Sequence, residues 1–405
     1  MALIVQKYGG TSVGSVALIQ GVAARVNQAR ARGERVAVVV SAMGDSTDRL
    51  LDLARELTAE PDVRELDALL ATGEQVSVAL LAMALRAAGT PAKSYTGFQV
   101  RIRTSPAHGK ARIEAIDSNR LQSDLNAGIV PVITGFQGVD ADGDITTIGR
   151  GGSDTTAVAI AVALQADECQ ILTDVDGVFT TDPRMVENAR CLARLSFEEM
   201  LELAGQGSRV LHLRAVEFAK KYNMPLRVQS AFRPGPGTLI CSEETAVEAV
   251  KVAGIAFNRD EAEFNFFGLP DAPGTAVKIL KPISDANIEI DMIIVSAAKD
   301  GKTDLSFTVH RDDYVQTGKI STISAKGFPD TVFISNNRVA KLSVVGVGMR
   351  SHAGVATALF ETMAREGINV RLVSTSEIKI SILIDEQLLE RAVRALHETY
   401  GLHLS

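Results

Sequence analysis

TIGRGGSDTTA, residues 147–157, is the stretch on which the reading of this chain turns. In it Arg150 sits among glycines and is followed by Ser153, Asp154, Thr155 and Thr156. Glycine lets a backbone bend and approach a ligand closely, and a Ser or Asp after a turn commonly caps the helix that follows. The run AVAIAVAL at 157–164 is a strong helix candidate, which puts Gly151, Gly152 and Ser153 at a helix N-terminus. Open N–H groups and the helix dipole attract anions there, so the stretch suits a carboxylate or a phosphate. A glycine turn with an ordinary cap is the competing reading.

Working outward, the apolar runs at 3–6, 36–41, 129–136 and 169–173 have the length of buried strands. The first runs into Lys7-Tyr8-Gly9-Gly10-Thr11-Ser12 and then a helical pattern at 16–32. A strand, a glycine turn and a helix aim N–H groups at one point, and Lys7 adds a cation; a tight turn with a solvated lysine fits equally. The second leads through 42–48 into a helix at 49–57, with Ser41 and Thr47 placed either to touch a ligand or to cap. One long helix is expected over 65–88, with Glu74 either on a solvated face or opposite a ligand ammonium. DADGD at 140–144 lacks the twelfth-position glutamate of a calcium loop and reads as a hairpin turn. The strand at 169–173 ends in Asp174, and DPR follows at 182–184; two helices are expected between 198 and 222 and a strand at 225–229. Strands alternating with helices over 1–240 argue for a mostly parallel sheet covered on both faces.

Composition narrows the function classes. The 405 residues are 46% hydrophobic and 22% charged with net charge -7, which suits a globular chain of two or three domains. Mixed acids and bases give no case for nucleic acid or a membrane surface as partner. No apolar run approaches the ~18 residues of a membrane span, so a cytoplasmic protein is expected. Cys169, Cys191 and Cys241 show neither a disulfide framework nor metal-ligand spacing.

Proline and glycine at 234–237 mark a boundary, beyond which the chain repeats itself. Gly268, Gly274, Ala276 and Ile288 recur as Gly348, Gly354, Ala356 and Ile368 in matching surroundings. Each unit reads strand, helix, two strands, helix, the order of a ferredoxin-like βαββαβ module. The second unit lacks a last strand, which residues 248–258 can supply.

With KYGGTS at 7–12, TGE at 72–74, GRGGSD at 149–154 and Thr173-Asp174 through DPR at 182–184 in this order, the whole chain resembles an aspartokinase. KYGGTS together with GRGGSD is the specific part; kinases acting on glutamate, acetylglutamate, carbamate or UMP share only the glycine turns. The resemblance implies an α/β fold: a three-layer αβα amino-acid-kinase domain over 1–245, then two ACT regulatory domains over 262–339 and 340–405. It implies transfer of the ATP γ-phosphoryl group to the side-chain carboxylate of L-aspartate, giving 4-phospho-L-aspartate, the first step toward lysine, threonine and methionine. Mg²⁺ would be held mainly by ATP, with no dedicated protein metal site.

The resemblance also distributes roles. Lys7 is the catalytic cation, with Asp174 orienting it. Aspartate falls to Ser41, Thr47, Glu74, Arg150, Gly151, Gly152 and Ser153, with Glu74 on its ammonium and the Arg150 fork on its α-carboxylate. ATP falls to Lys7, Tyr8, Gly9, Gly10, Thr173 and Asp174, together with Phe179, Thr180, Asp182, Pro183, Arg184 and Arg209. Lysine, threonine or both would bind as effectors at Asp271, Gly274, Thr275, Ala276, Asn287, Ile288 and Asp291, and at Gly354, Val355 and Asn369. Three positions depart from the family pattern: Arg209 replaces a common lysine, Val295 a glutamine and Ala353 a proline. A homo-oligomer paired through ACT domains, or a heterotetramer with a separate regulatory subunit, is expected.

Overall fold

The computed structural model describes residues 1–205, 210–242, 251–296, 299–347, 349 and 353–404. Arg209 and Gly348 lie outside these residues. The chain divides into two compact units, the first holding 1–178, 191–204 and 210–242, the second holding 179–190, Gly205 and the described residues from 251 onward.

The first unit runs β1 (Leu3–Tyr8), α1 (Val16–Ala31), β2 (Arg35–Val40), α2 (Ser46–Leu57), α3 (Val63–Leu70), α4 (Thr72–Ala87), β3 (Ala92–Tyr95), β4 (Ile102–Thr104), β5 (Ile113–Ile116) and α5 (Asn119–Asn126). It continues with β6 (Val130–Thr134), β7 (Gln137–Val139), β8 (Ile145–Thr147), α6 (Gly152–Leu164), β9 (Glu168–Thr173), β10 (Arg194–Ser196), α7 (Phe197–Gly205), α8 (Leu213–Tyr222), β11 (Leu226–Ser230) and β12 (Thr238–Cys241). Its main sheet has the order β10-β12-β11-β9-β1-β2-β6-β3, and every pairing in it is parallel except β11 with β12. A parallel sheet is covered on both faces, so its strands are apolar throughout rather than alternating. All six residues of β1 are buried accordingly. The helix α6 is likewise apolar around its circumference, with Val158, Ile160 and Leu164 all buried.

A smaller sheet, β5-β4-β7-β8, carries the hairpin whose turn is 140–144. Asp140 Oδ1 there accepts from the Asp142 and Asp144 N–H groups, which explains the DADGD pattern without calcium.

The single helix expected over 65–88 is two helices, interrupted at Ala71. Taken together, Val63–Ala87 is long enough to cross a membrane and contains an 18-residue window of mean hydropathy 1.6, but half of that window is buried inside the fold. Its apolar character has a different cause: Val78, Leu81 and Leu85 of α4 pack into the core with Val22, Val38 and Val132.

The second unit contains β13 (Lys251–Pro270), α9 (Thr275–Asp285), β14 (Ile290–Val295), β15 (Lys302–His310), α10 (Tyr314–Ala325), β16 (Val332–Val347), α11 (Ala353–Arg365), β17 (Leu372–Thr375), β18 (Lys379–Asp385) and α12 (Leu389–Thr399). One sheet, β14-β15-β13-β16-β18-β17, runs through both repeats. The long strands β13 and β16 serve each half in turn: 263–267 pair with 332–336, and 251–258 pair with 341–347.

Candidate active site

The site is built where the central strands of the first unit end. Lys7, next to last in β1, lies between Val39 and Ile171 of the neighbouring strands and is 9% exposed. A cation so enclosed needs an anion, and Asp154 in the first turn of α6 supplies it at 2.7 Å. This corrects the expectation for Asp174, which lies exposed beyond β9 and, among the described residues, accepts from the Thr173 hydroxyl at 3.0 Å. The partner is Asp154 because α6 begins over the end of β1.

Backbone approach shapes the turns. A Cβ on Gly10 would stand 2.8 Å from the Ala42 carbonyl oxygen, and one on Gly9 3.5 Å from Lys7 Nζ. The Gly44 N–H donates to Gly10 O, stitching the turn after β1 to the turn after β2. Tyr8, an expected ATP contact, is fully buried, and its hydroxyl donates to Gln6 Oε1 at 3.1 Å. Alternation along the strand turns its ring into the core, and burial pushes its phenol pKa up.

Glu74, in the first turn of α4, is 2% exposed. Its Oε1 accepts from the Ala42 N–H at 3.0 Å, while its Oε2 is buried without a hydrogen-bond partner among the described residues. Burial pushes its carboxyl pKa up to about 7, partly opposed by the Ala42 bond. The helix comes this close because residue 73 is glycine: a Cβ there would lie 2.8 Å from Ala42 Cβ.

The 147–152 loop presents Arg150. Gly149 (φ 82) and Gly151 (φ 69) flank it in left-handed backbone, and a Cβ on Gly151 would come within 2.1 Å of the His212 ring. Arg150 is exposed and has no carboxylate partner among the described residues. The expected Ser or Asp cap on α6 is absent: Gly151 occupies the N-cap position and no side chain caps the helix. Asp154 is drawn to Lys7 instead, and Ser153 packs where a Cβ on Gly135 would be 2.6 Å from its hydroxyl oxygen. Ser41 and Thr47 are half-buried, the latter in the first turn of α2.

Other expected site residues lie in the second unit, which takes in Phe179, Thr180, Asp182, Pro183 and Arg184. Thr180 is completely buried, accepts from the Arg190 N–H at 3.0 Å and hydrogen-bonds His397 Nε2 at 2.9 Å, so its side chain is not free for a nucleotide. Asp182 pairs with Arg184 at 2.7 Å, and the guanidinium holds that carboxyl below its usual range. Phe179 is half-buried; Pro183 and Arg184 are exposed.

Among the expected effector residues, Gly274 (φ 89) and Asn287 (φ 59) have left-handed backbone at the two ends of α9. Thr275 and Ile288 are buried, Ala276 and Val355 half-buried, and Asp271, Gly354 and Asn369 exposed. Asp291 pairs with Lys341, a buried lysine that also lies 3.4 Å from the buried Glu261. Lys341 escaped the sequence reading because a lysine inside an apolar strand carries no motif.

His108, Asp140 and Asp144 bring donor atoms within 4.8 Å of one another. Asp144 is ion-paired with Arg64 at 2.6 Å and Asp140 braces its turn, so the cluster has a structural role of its own.

Residues 2–230 match the amino acid kinase family, and residues 266–321 and 342–400 each match the ACT domain. The chain is 57% identical over 404 residues to an aspartokinase of Pseudomonas aeruginosa, covering 99% of this chain and 98% of that one. Among solved structures it is similar to the aspartate kinase from Synechocystis, at 42% identity and TM-score 0.56 over 100% of this chain and 70% of that one. It is also similar to E. coli aspartokinase III in complex with lysine and aspartate, at 25% identity and TM-score 0.79 over 98% and 99%.

Proposed function

This chain belongs to the amino acid kinase family, among its aspartokinases, and from that premise we propose how its residues carry out the reaction. The enzyme transfers the γ-phosphoryl group of ATP to the side-chain carboxylate of L-aspartate. A carboxylate oxygen forms the bond to phosphorus as the bond to the bridging oxygen of ATP breaks, leaving ADP and 4-phospho-L-aspartate. The substrate is its own nucleophile, so catalysis reduces to alignment and charge neutralisation.

The buried, unpartnered Oε2 of Glu74 carries this reading. A native fold rarely leaves such an atom without a donor, and an amino-acid ammonium is one of matching charge. Arg150 takes the α-carboxylate through its planar fork, and the uncapped start of α6 at Ser153 faces the reacting carboxylate. Lys7, held by Asp154, meets the transferring phosphoryl group. Gly10 brings its N–H group to the nucleotide phosphates, while the Gly9 N–H donates to Leu172 O at 3.4 Å and holds the turn. Asp174 is exposed and free of any cation partner among the described residues, a donor set that fits a water-rich Mg²⁺ carried by ATP. That ion would neutralise phosphate charge.

Arg150→Ala is expected to raise the aspartate KM about 10- to 100-fold with a smaller effect on kcat, as for loss of one bidentate contact. Steady-state kinetics with aspartate, glutamate and acetylglutamate test both role and substrate: an unaltered aspartate KM rejects the α-carboxylate assignment, and preference for another acid rejects the substrate. The ACT domains are assigned amino-acid feedback, with lysine as effector by analogy with the lysine-bound E. coli enzyme. Isothermal titration with lysine and threonine, singly and together, should give heat from lysine; no heat from either would reject effector binding.

A further inference from the structure

Arg150 is exposed, flanked by two left-handed glycines, and makes no ion pair that would hold it among the described residues. Left to itself such a loop would wander, yet the chain just before it is fixed by two charged side chains. Asp67 of α3, 1% exposed, accepts from Thr147 N–H at 2.9 Å, the Thr147 hydroxyl at 2.5 Å, Gly109 N–H at 2.9 Å and His108 Nδ1 at 2.9 Å. Arg214 of α8 donates to Ile148 O at 2.6 Å and to Ala111 O at 3.1 Å. The same two segments, 108–111 and 147–148, are thus bridged twice: Asp67 collects their donors and Arg214 their acceptors. They also bond each other directly, Ala111 N–H to Thr147 O at 3.0 Å.

A buried charge is a poor choice where only stability is needed, since an apolar side chain of similar volume does as well or better. Two opposite charges that converge on one loop have a use if that loop must hold a guanidinium to within a fraction of an ångström. We propose that Asp67 and Arg214 are positioning residues for Arg150, clamping the chain at 147–148 so that its guanidinium meets the substrate α-carboxylate. This rests on the role given to Arg150 above.

In the full-length enzyme, Asp67→Asn should raise the aspartate KM about 10-fold, the scale of a loosened rather than deleted contact, with kcat and the ATP KM changed less than about 2-fold. Arg214→Met should show the same split. Should Asp67→Asn fail to fold, Thr147→Val removes one hydroxyl bond to the clamp and should raise the aspartate KM several-fold, while Thr147→Ser should restore it. Combined with Arg150→Ala, the Asp67 or Thr147 change should add nothing further, because its effect passes through Arg150. An unchanged aspartate KM in the folded clamp variants, or effects that multiply in full with Arg150→Ala, would overturn the proposal while leaving the Arg150 assignment standing. If Arg150→Ala itself leaves that KM unaltered, the assignment on which the clamp depends falls first.

Discussion

Replacing Lys7 with alanine should lower kcat by about 10² or more, some 2.7 kcal/mol, while the aspartate KM changes little, as expected when a charge acts mainly in the transition state. The argument is geometric. Lys7 stands at the end of a central strand beside the glycine turn, and its ion pair with Asp154 comes from the helix whose N-terminus is assigned to the substrate. That pairing fixes the ammonium in place rather than consuming it, because an ammonium has three donors and can serve a phosphoryl oxygen as well. Removing Lys7 leaves Asp154 nearly buried without its cation, so a lower melting temperature is also expected. Kinetics at saturating ATP and aspartate, on protein shown to be folded by thermal melting, decide the matter; an unchanged kcat would remove Lys7 from the mechanism.

Glu74→Gln should act in opposite directions on binding and on stability. Without its charge the ammonium contact weakens, and the aspartate KM should rise about 10²-fold, the order of one charge-assisted hydrogen bond in a buried site. Stability follows from linkage. The Glu74 carboxyl moves from an ordinary value of 4.5 up to about 7 in the folded protein because it is buried. Between those values the folded state keeps a proton that the unfolded state has released, so stability falls as pH rises across that window. Above about pH 7 the full cost of holding a buried carboxylate is present, about 3 kcal/mol. The Gln variant escapes it: it should melt above the parent at pH 8, with the difference shrinking toward zero below pH 4.5. The parent's aspartate affinity should in turn weaken as pH drops below about 7, where Glu74 takes up a proton. Equal melting temperatures at pH 8 together with an unaltered aspartate KM would sink the assignment.

These residues were legible to different degrees. Lys7, Glu74 and Arg150 stood out because each is a charged residue close to glycine: Lys7 at the end of an apolar strand, Glu74 within an apolar helix and Arg150 just before one, a pattern that serves packing poorly and a ligand well. Tyr8 lies in the motif of Lys7 and Thr180 in the stretch between Asp174 and Asp182, yet one faces the core and the other bonds His397, because strand alternation and remote packing decide where a side chain points. The break at Ala71 was hidden, since nothing in the helical pattern across it announces how closely Gly73 must approach Ala42.

What the amino-acid order determined alone was local: strands of buried length, glycine turns between strand and helix, the C-terminal repeat, and the motif set that points to an aspartokinase. Such features depend on propensity and on residues near one another in the chain. Tertiary structure decided the partners. Asp154 rather than Asp174 holds Lys7, Asp67 reaches Thr147 across eighty positions, Phe179–Arg190 joins the second unit, and one sheet runs through both repeats. Each choice turns on burying charge beside its complement and closing backbone hydrogen bonds between segments far apart in sequence, which no local pattern encodes.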